Sequence, residues 1–246
     1  MSPQIEVTTR CNFSCWYCTG RQMEQKDMEL EVFEKILASI PKGSPVSLQG
    51  EGEPLLWSHF ELVLQKYGDD YKFETITNGT IYRDLSKLHR LGVSIDSLDP
   101  KVAEQNGRAN IDKVVGNALL YRNTLTCPIR ILSVDTGAPL DSLKEWCRWF
   151  GMEHVVQPLQ PKLDYVKFYP DLGVARHKTI KPKKHYKCAA GFVGKPTYWN
   201  VDGVALPCCF TKDLEEFLDC DNVYKRMQAA VEPATCSGCQ HLISCN

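Results

Sequence analysis

The chain has 246 residues, 43% of them hydrophobic, and a formal net charge of −1. No apolar run is long enough to span a bilayer, and the near-neutral balance excludes a surface built wholesale to attract nucleic acid or anionic membrane. Twelve cysteines is a high count; with no stretch reading as a signal peptide, they point to metal ligation in a reducing cytosol rather than to disulfides, so a cytoplasmic protein is expected.

Strand and helix patterns alternate along the chain. Residues 5–8 read as a short strand entering a cysteine-rich loop. Over 30–40 the residues Leu30, Phe33, Ile36, Leu37 and Ile40 have helical spacing, and Pro41 and Gly43 stop the run. A strand over 46–49, a helix over 60–67 and a strand over 73–77 ended by Asn78-Gly79 follow. Next come a helix over 84–91 with Gly92 just past its end, and a strand over 93–96. A helix over 111–122, a strand over 129–134, a helix over 140–150 and a short strand over 155–157 complete the series. Six strands alternating with helices predict an α/β fold with a parallel sheet. In residues 159–187 Pro161, Pro170 and Pro182 break regular structure. The basic stretch 176–187 within it reads either as a solvated linker or as a contact to phosphate in a nucleotide or nucleic acid.

The run Cys11-Asn12-Phe13-Ser14-Cys15-Trp16-Tyr17-Cys18 offers three thiolates in C-x3-C-x2-C spacing. Iron–sulfur clusters are usually closed by four cysteines, so three leave one iron of a [4Fe–4S] cube open to another ligand. Structural zinc prefers four ligands in paired C-x2-C units. Three more polar stretches follow strands: Gly50-Glu51-Gly52-Glu53-Pro54, Thr77-Asn78-Gly79, and Ser94-Ile95-Asp96-Ser97-Leu98-Asp99-Pro100. Ligands of parallel sheets and barrels bind at the carboxyl ends of strands, so motif placement and fold support each other.

Together these stretches resemble the radical S-adenosylmethionine (radical SAM) superfamily over roughly residues 4–158. The resemblance implies an open, partial (β/α)6 barrel. It implies a [4Fe–4S] cluster on Cys11, Cys15 and Cys18 that binds S-adenosylmethionine (SAM). Gly52, Glu53 and Pro54 resemble the Gly-Glu-Pro motif, with Glu53 accepting from the methionine amino group; Asn78, Ser94 and Asp96 then address the ribose and carboxylate, and Tyr17 lies close to adenine. The implied chemistry is reductive cleavage of SAM to a 5′-deoxyadenosyl radical, fed by an external one-electron donor of flavodoxin or ferredoxin type.

A second cysteine set, Cys188, Cys208, Cys209, Cys220, Cys236, Cys239 and Cys245, resembles the auxiliary-cluster domain of SPASM and twitch enzymes. The expected division is a core barrel over 1–158, a basic linker over 159–187 and a small auxiliary-cluster domain over 188–246. Because the SPASM pattern breaks off before Asn246, one auxiliary [4Fe–4S] cluster is expected, held by Cys188, Cys208, Cys236 and Cys239, with Cys245 able to replace one of them. Structural zinc is the competing occupant. Cys209 points elsewhere if its segment is extended, and Cys127, Cys147 and Cys220 read as buried thiols.

The expected function is hydrogen abstraction from a small polar substrate with net oxidation, the auxiliary cluster taking the electron. The alternative is rearrangement or modification of a nucleotide, of a base in nucleic acid, or of a peptide. A mere electron carrier or zinc-stabilised module would leave Glu53 and Asp96 without a role. His154, His177 and His185 are candidates for a base by residue type only.

Overall fold

The computed structural model describes residues 2–158, 184–211, 214, 217 and 219–245. Its main sheet has eight strands, the first six of the chain lying side by side in sequence order. The first six strands are β1 (Gln4–Ile5), β2 (Pro45–Leu48), β3 (Lys72–Thr77), β4 (Arg90–Ser94), β5 (Ile129–Asp135) and β6 (Glu153–Pro158). Each pairs parallel with the next. Helices α1 (Leu30–Ala38), α2 (Phe60–Tyr67), α3 (Pro100–Gln105), α4 (Ile111–Thr124) and α5 (Asp141–Trp149) fall between them.

One face of the sheet is apolar. Val46, Leu48, Phe73, Leu91, Val93, Ile129 and Ile131 from the strands join Phe33, Val63, Leu64, Val114 and Ala118 from the helices in one buried core. Side chains alternate across a strand, so the intervening residues face the other way. Register puts Glu74, Arg90, Arg130 and Glu153 on that second face. There Arg90 pairs with Glu74 at 3.3 Å and Arg130 with Glu153 at 2.6 Å. One buried face and one polar face is unusual for parallel strands, which normally read as apolar throughout.

The predicted helix over 84–91 does not form. Leu85 and Leu88 are buried, but from a turn in which Asp84 Oδ1 accepts from Ser86 N at 3.0 Å. His89 N then donates to Phe73 O at 2.8 Å and opens β4. Gly92 lies inside that strand, with Leu132 and Ile76 packed against its α-carbon, rather than past a helix end. Leu85, Leu88 and Leu91 imitate a helical stripe because a turn can bury the same spacing. Helix α3 was not anticipated, although Asp99 caps it by accepting from Lys101 N at 2.8 Å and Pro100 occupies its first position.

The C-terminal residues do not stand apart from the core. Strand β8 (Tyr198–Trp199) runs parallel to β1, and β9 (Ala205–Leu206) returns antiparallel to it. This covers the edge of β1 that would otherwise be unpaired. Around them β7 (His185–Cys188) and β10 (Leu242–Cys245) form an antiparallel pair. Helix α6 (Cys220–Gln228) is capped by Asp219 Oδ1, which accepts from Asn222 N at 2.7 Å. A second small core joins Tyr186, Phe192, Cys220, Val223 and Met227. Cys147 and Cys220 are buried as expected, and Cys127 is half-buried. The predicted linker lies largely outside the described residues, as do His177 and most of the basic stretch. No helix among the described residues is long and apolar enough to cross a membrane.

Candidate active site

All six parallel strands end at one cavity of about 330 Å³, a size usual for small-molecule sites. Its wall includes Cys11, Cys15, Tyr17 and Cys18 after β1, Gly52 and Glu53 after β2, and Asn78 after β3. Ser94, Val134 and Gln157 enter from β4, β5 and β6, and Arg108 from the turn after α3. Of the residues anticipated from the sequence, only Pro54 and Asp96 are absent from this wall among the core motifs; both are buried behind it.

The cysteine loop is held from several sides. Ser14 N donates to Gly107 O at 3.2 Å, and Trp16 Nε1 donates to Asn106 Oδ1 at 3.0 Å. Gly107 has φ +79°, and a β-carbon there would sit 2.4 Å from Ser14 O, so the turn and the loop meet backbone to backbone. Asn78 Nδ2 donates to Asn12 Oδ1 at 2.7 Å and approaches Cys11 Sγ at 3.8 Å. Phe13 N donates to Cys11 Sγ at 3.4 Å. Burial pushes the Cys11 thiol above its ordinary pKa, and Cys18 further, with the Glu51 carboxylate adding to the shift at Cys18. Cys18 Sγ lies 3.5 Å from Glu51 Oε2.

Glu53 has a role that its motif did not announce. It is buried, and Oε1 accepts from Leu55 N at 3.1 Å and Thr77 Oγ1 at 2.7 Å, while Oε2 accepts from Asn78 N at 2.5 Å. Burial raises its pKa and these hydrogen bonds oppose the rise. A carboxylate has about four acceptor positions, so one remains, on Oε2. The preceding residue must be glycine. A β-carbon at Gly52 would come within 2.4 Å of Thr8 O and 2.7 Å of Arg10 O, where Glu53 N donates to Arg10 O at 2.7 Å.

Asp96, expected with Asn78 and Ser94 at the ribose and carboxylate, is buried among Tyr17, Arg108 and β5. Its Oδ2 accepts from the Tyr17 hydroxyl and pairs with Arg108 Nε at 2.9 Å, and Oδ1 accepts from Val134 N at 2.9 Å. Arg108 also donates to Tyr17 Oη at 2.7 Å and to Ser94 O at 2.9 Å. Burial holds Tyr17 protonated, far above its ordinary pKa. Arg108 is the cation of this wall, and sequence reading missed it; its only signal was the turn Asn106-Gly107 after a capped helix. Glu6 was missed too. It is fully buried and accepts from Glu51 N at 2.8 Å and Val201 N at 3.2 Å, tying the Gly50–Glu51 loop to the C-terminal hairpin.

The C-terminal thiols gather at a second cavity. Cys188, Cys208, Cys209, Cys236, Cys239 and His241 line it. Cys245 lies on β10 opposite His185 and is not on that wall. Cys209 does not point away as a strand would direct it, because 208–211 is a turn closed by Thr211 N donating to Cys208 O at 3.1 Å. His154 does not face the cavity; it lies within 2.8 Å of Ser133 Oγ. His185 sits on β7 and lines neither cavity.

The family model described as "Radical SAM superfamily" matches residues 5–135, and the chain belongs to that superfamily. It is 32% identical over 124 residues to the GTP 3′,8-cyclase of Nautilia profundicola, a match covering 44% of this chain and 39% of that protein. A probable GTP 3′,8-cyclase of Methanococcus maripaludis is 26% identical over 235 residues, covering 87% of this chain and 77% of the relative. Among solved structures, Streptococcus suis SuiB bound to S-adenosylmethionine shares the fold, with a TM-score of 0.68 at 16% identity over 92% of this chain and 67% of SuiB.

The chain spans about two fifths of the length of the first curated relatives it matches, and membership of the radical SAM superfamily implies a [4Fe–4S] cluster and SAM. The donors present fit that group. Three thiols share one cavity, as soft iron–sulfur ligation requires.

Proposed function

We propose that this enzyme rearranges or otherwise modifies a nucleotide or nucleotide-like small molecule without net oxidation. The observation that carries the reading is the match to the probable GTP 3′,8-cyclase of Methanococcus maripaludis, which extends over 87% of the chain. The dehydrogenase expectation is set aside, since the curated relatives reported above are named as nucleotide cyclases.

In this proposal residues 1–158 form the partial barrel. Residues 188–246, with β7, form a twitch-like auxiliary unit. Cys11, Cys15 and Cys18 hold the first cluster, and Cys188, Cys208, Cys236 and Cys239 an auxiliary [4Fe–4S] cluster. Bound together, cluster and SAM supply a primary carbon radical on receipt of one electron from an external donor of flavodoxin or ferredoxin type.

The chain's own residues do the rest. The remaining acceptor position of Glu53 takes the amino group of SAM in a charge-assisted hydrogen bond. Arg108, with Ser94 and Asn78 on the same wall, takes the carboxylate. Tyr17 forms the wall against adenine, and Asp96 holds Tyr17 and Arg108 in place from behind.

The test is anaerobic incubation of reconstituted protein with SAM, dithionite and each ribonucleoside triphosphate in turn. Nucleotide-dependent formation of 5′-deoxyadenosine, with a nucleotide product of unchanged mass or one lighter by water, supports the reading. A product lighter by two hydrogens restores the dehydrogenase. No nucleotide dependence sinks the substrate class.

A further inference from the structure

We propose that Cys209 is not an auxiliary ligand but an active-site thiol on the wall shared by the two cavities, placed to give a hydrogen atom to a carbon radical in the strand-end cavity. Cys188, Cys208, Cys236 and Cys239 line the C-terminal cavity alone and make a full set of four. Cys209 and Phe210 line both cavities. They are the two central residues of the turn that Thr211 N closes onto Cys208 O, so Cys209 reaches the strand-end cavity as well, whereas Cys208 lines only the C-terminal one. Phe210 stacks on His241, with ring centres 5.6 Å apart and planes at 23°, and this fixes the turn. The C-terminal cavity also carries a buried hydroxyl, Thr235 Oγ1, without a hydrogen-bond partner among the described residues, as expected of a wall that accommodates a further group.

The inference rests on the proposed assignment of four C-terminal ligands. An S–H bond is weaker than an alkyl C–H bond, so transfer from Cys209 to a carbon radical is downhill. The S–H bond breaks and a C–H bond forms. The sulfur radical left on Cys209 returns to a thiol with one electron from the external donor and a proton from water. Such a step leaves the substrate's oxidation state unchanged, which suits a rearrangement.

Two readouts test it on the reconstituted full chain. Iodoacetamide under anaerobic conditions should alkylate Cys209 while Cys188, Cys208, Cys236 and Cys239 are protected, and Cys209→Ala should keep wild-type iron. In deuterated water with SAM and dithionite alone, the 5′-deoxyadenosine formed should carry one deuterium taken from the exchangeable thiol; that formed by Cys209→Ala should carry none. Protection of Cys209, or loss of about half the iron in the variant, makes it a ligand and overturns the proposal. Unlabelled wild-type product, or label that persists in the variant, overturns the hydrogen transfer. Failure of the auxiliary-cluster reading shows separately, as about four irons per chain instead of about eight and alkylation of all five thiols that line the C-terminal cavity.

Discussion

The two cysteine sites hang from different kinds of structure. Cys11, Cys15 and Cys18 belong to a loop whose backbone is bonded to the turn after α3 and which lies against Asn78 and Glu51, all carried on six parallel strands over one large core. The C-terminal thiols belong to turns and strand ends around a core of five buried side chains. The first loop takes its shape from the fold. The second set has far less apolar burial to hold it, and metal binding is then expected to contribute to its folding.

Cysteine removal gives the largest effects and separates the sites. Triple substitution of Cys11, Cys15 and Cys18 by alanine should remove about four irons and abolish 5′-deoxyadenosine formation, with a thermal midpoint close to wild type. The double variant Cys236→Ser/Cys239→Ser should lose the other irons and also loosen its own region, read as faster amide exchange confined to β7, α6 and β10. Equal protection in metal-free and loaded protein would break the contrast.

Asp96→Asn comes next. It keeps the shape but removes the counter-charge from Arg108, whose side chain is only 13% exposed. Breaking such a buried pair costs about 3–5 kcal/mol. A urea midpoint unchanged from wild type would show that Arg108 finds another partner. Gly52→Ala should cost about 1–3 kcal/mol, because the added carbon meets backbone oxygen that cannot swing aside. Its stability loss should come with weaker SAM binding by calorimetry, since Glu53 moves with it.

The smallest effect is a pH dependence at His154. Burial, with Lys144 adding to it, lowers its pKa. Its neutral form is favoured in the fold, so its stability contribution is full above the unfolded value of about 6.5 and declines as pH falls below that. Comparing Tm at pH 7.5 and 5.5, His154→Gln should show a smaller acid loss than wild type. An equal loss would remove His154 from the account.

Much of this was legible along the chain. The helix at Phe60–Tyr67 has the predicted bounds, and the cysteine loop and Gly52-Glu53 reach the same cavity as their motifs imply. Asp84 to Leu91 was misread because a buried turn and a helix share apolar spacing. Arg108 was missed because a lone arginine in a turn carries no periodic or motif signal.

Local chemistry was written into single stretches: thiol spacing, the close approach that only glycine permits, the caps of helices. These depend on neighbours within a few residues, and a linear pattern records them. The bonds of Glu53 to Thr77 and Asn78, the burial of Asp96 behind Tyr17 and Arg108, the tie of Glu6 to Val201, and the seat of Cys209 on two cavities join residues 12 to 195 positions apart. Only the packing of strands side by side brings such groups together, and no local pattern encodes a contact made at that distance.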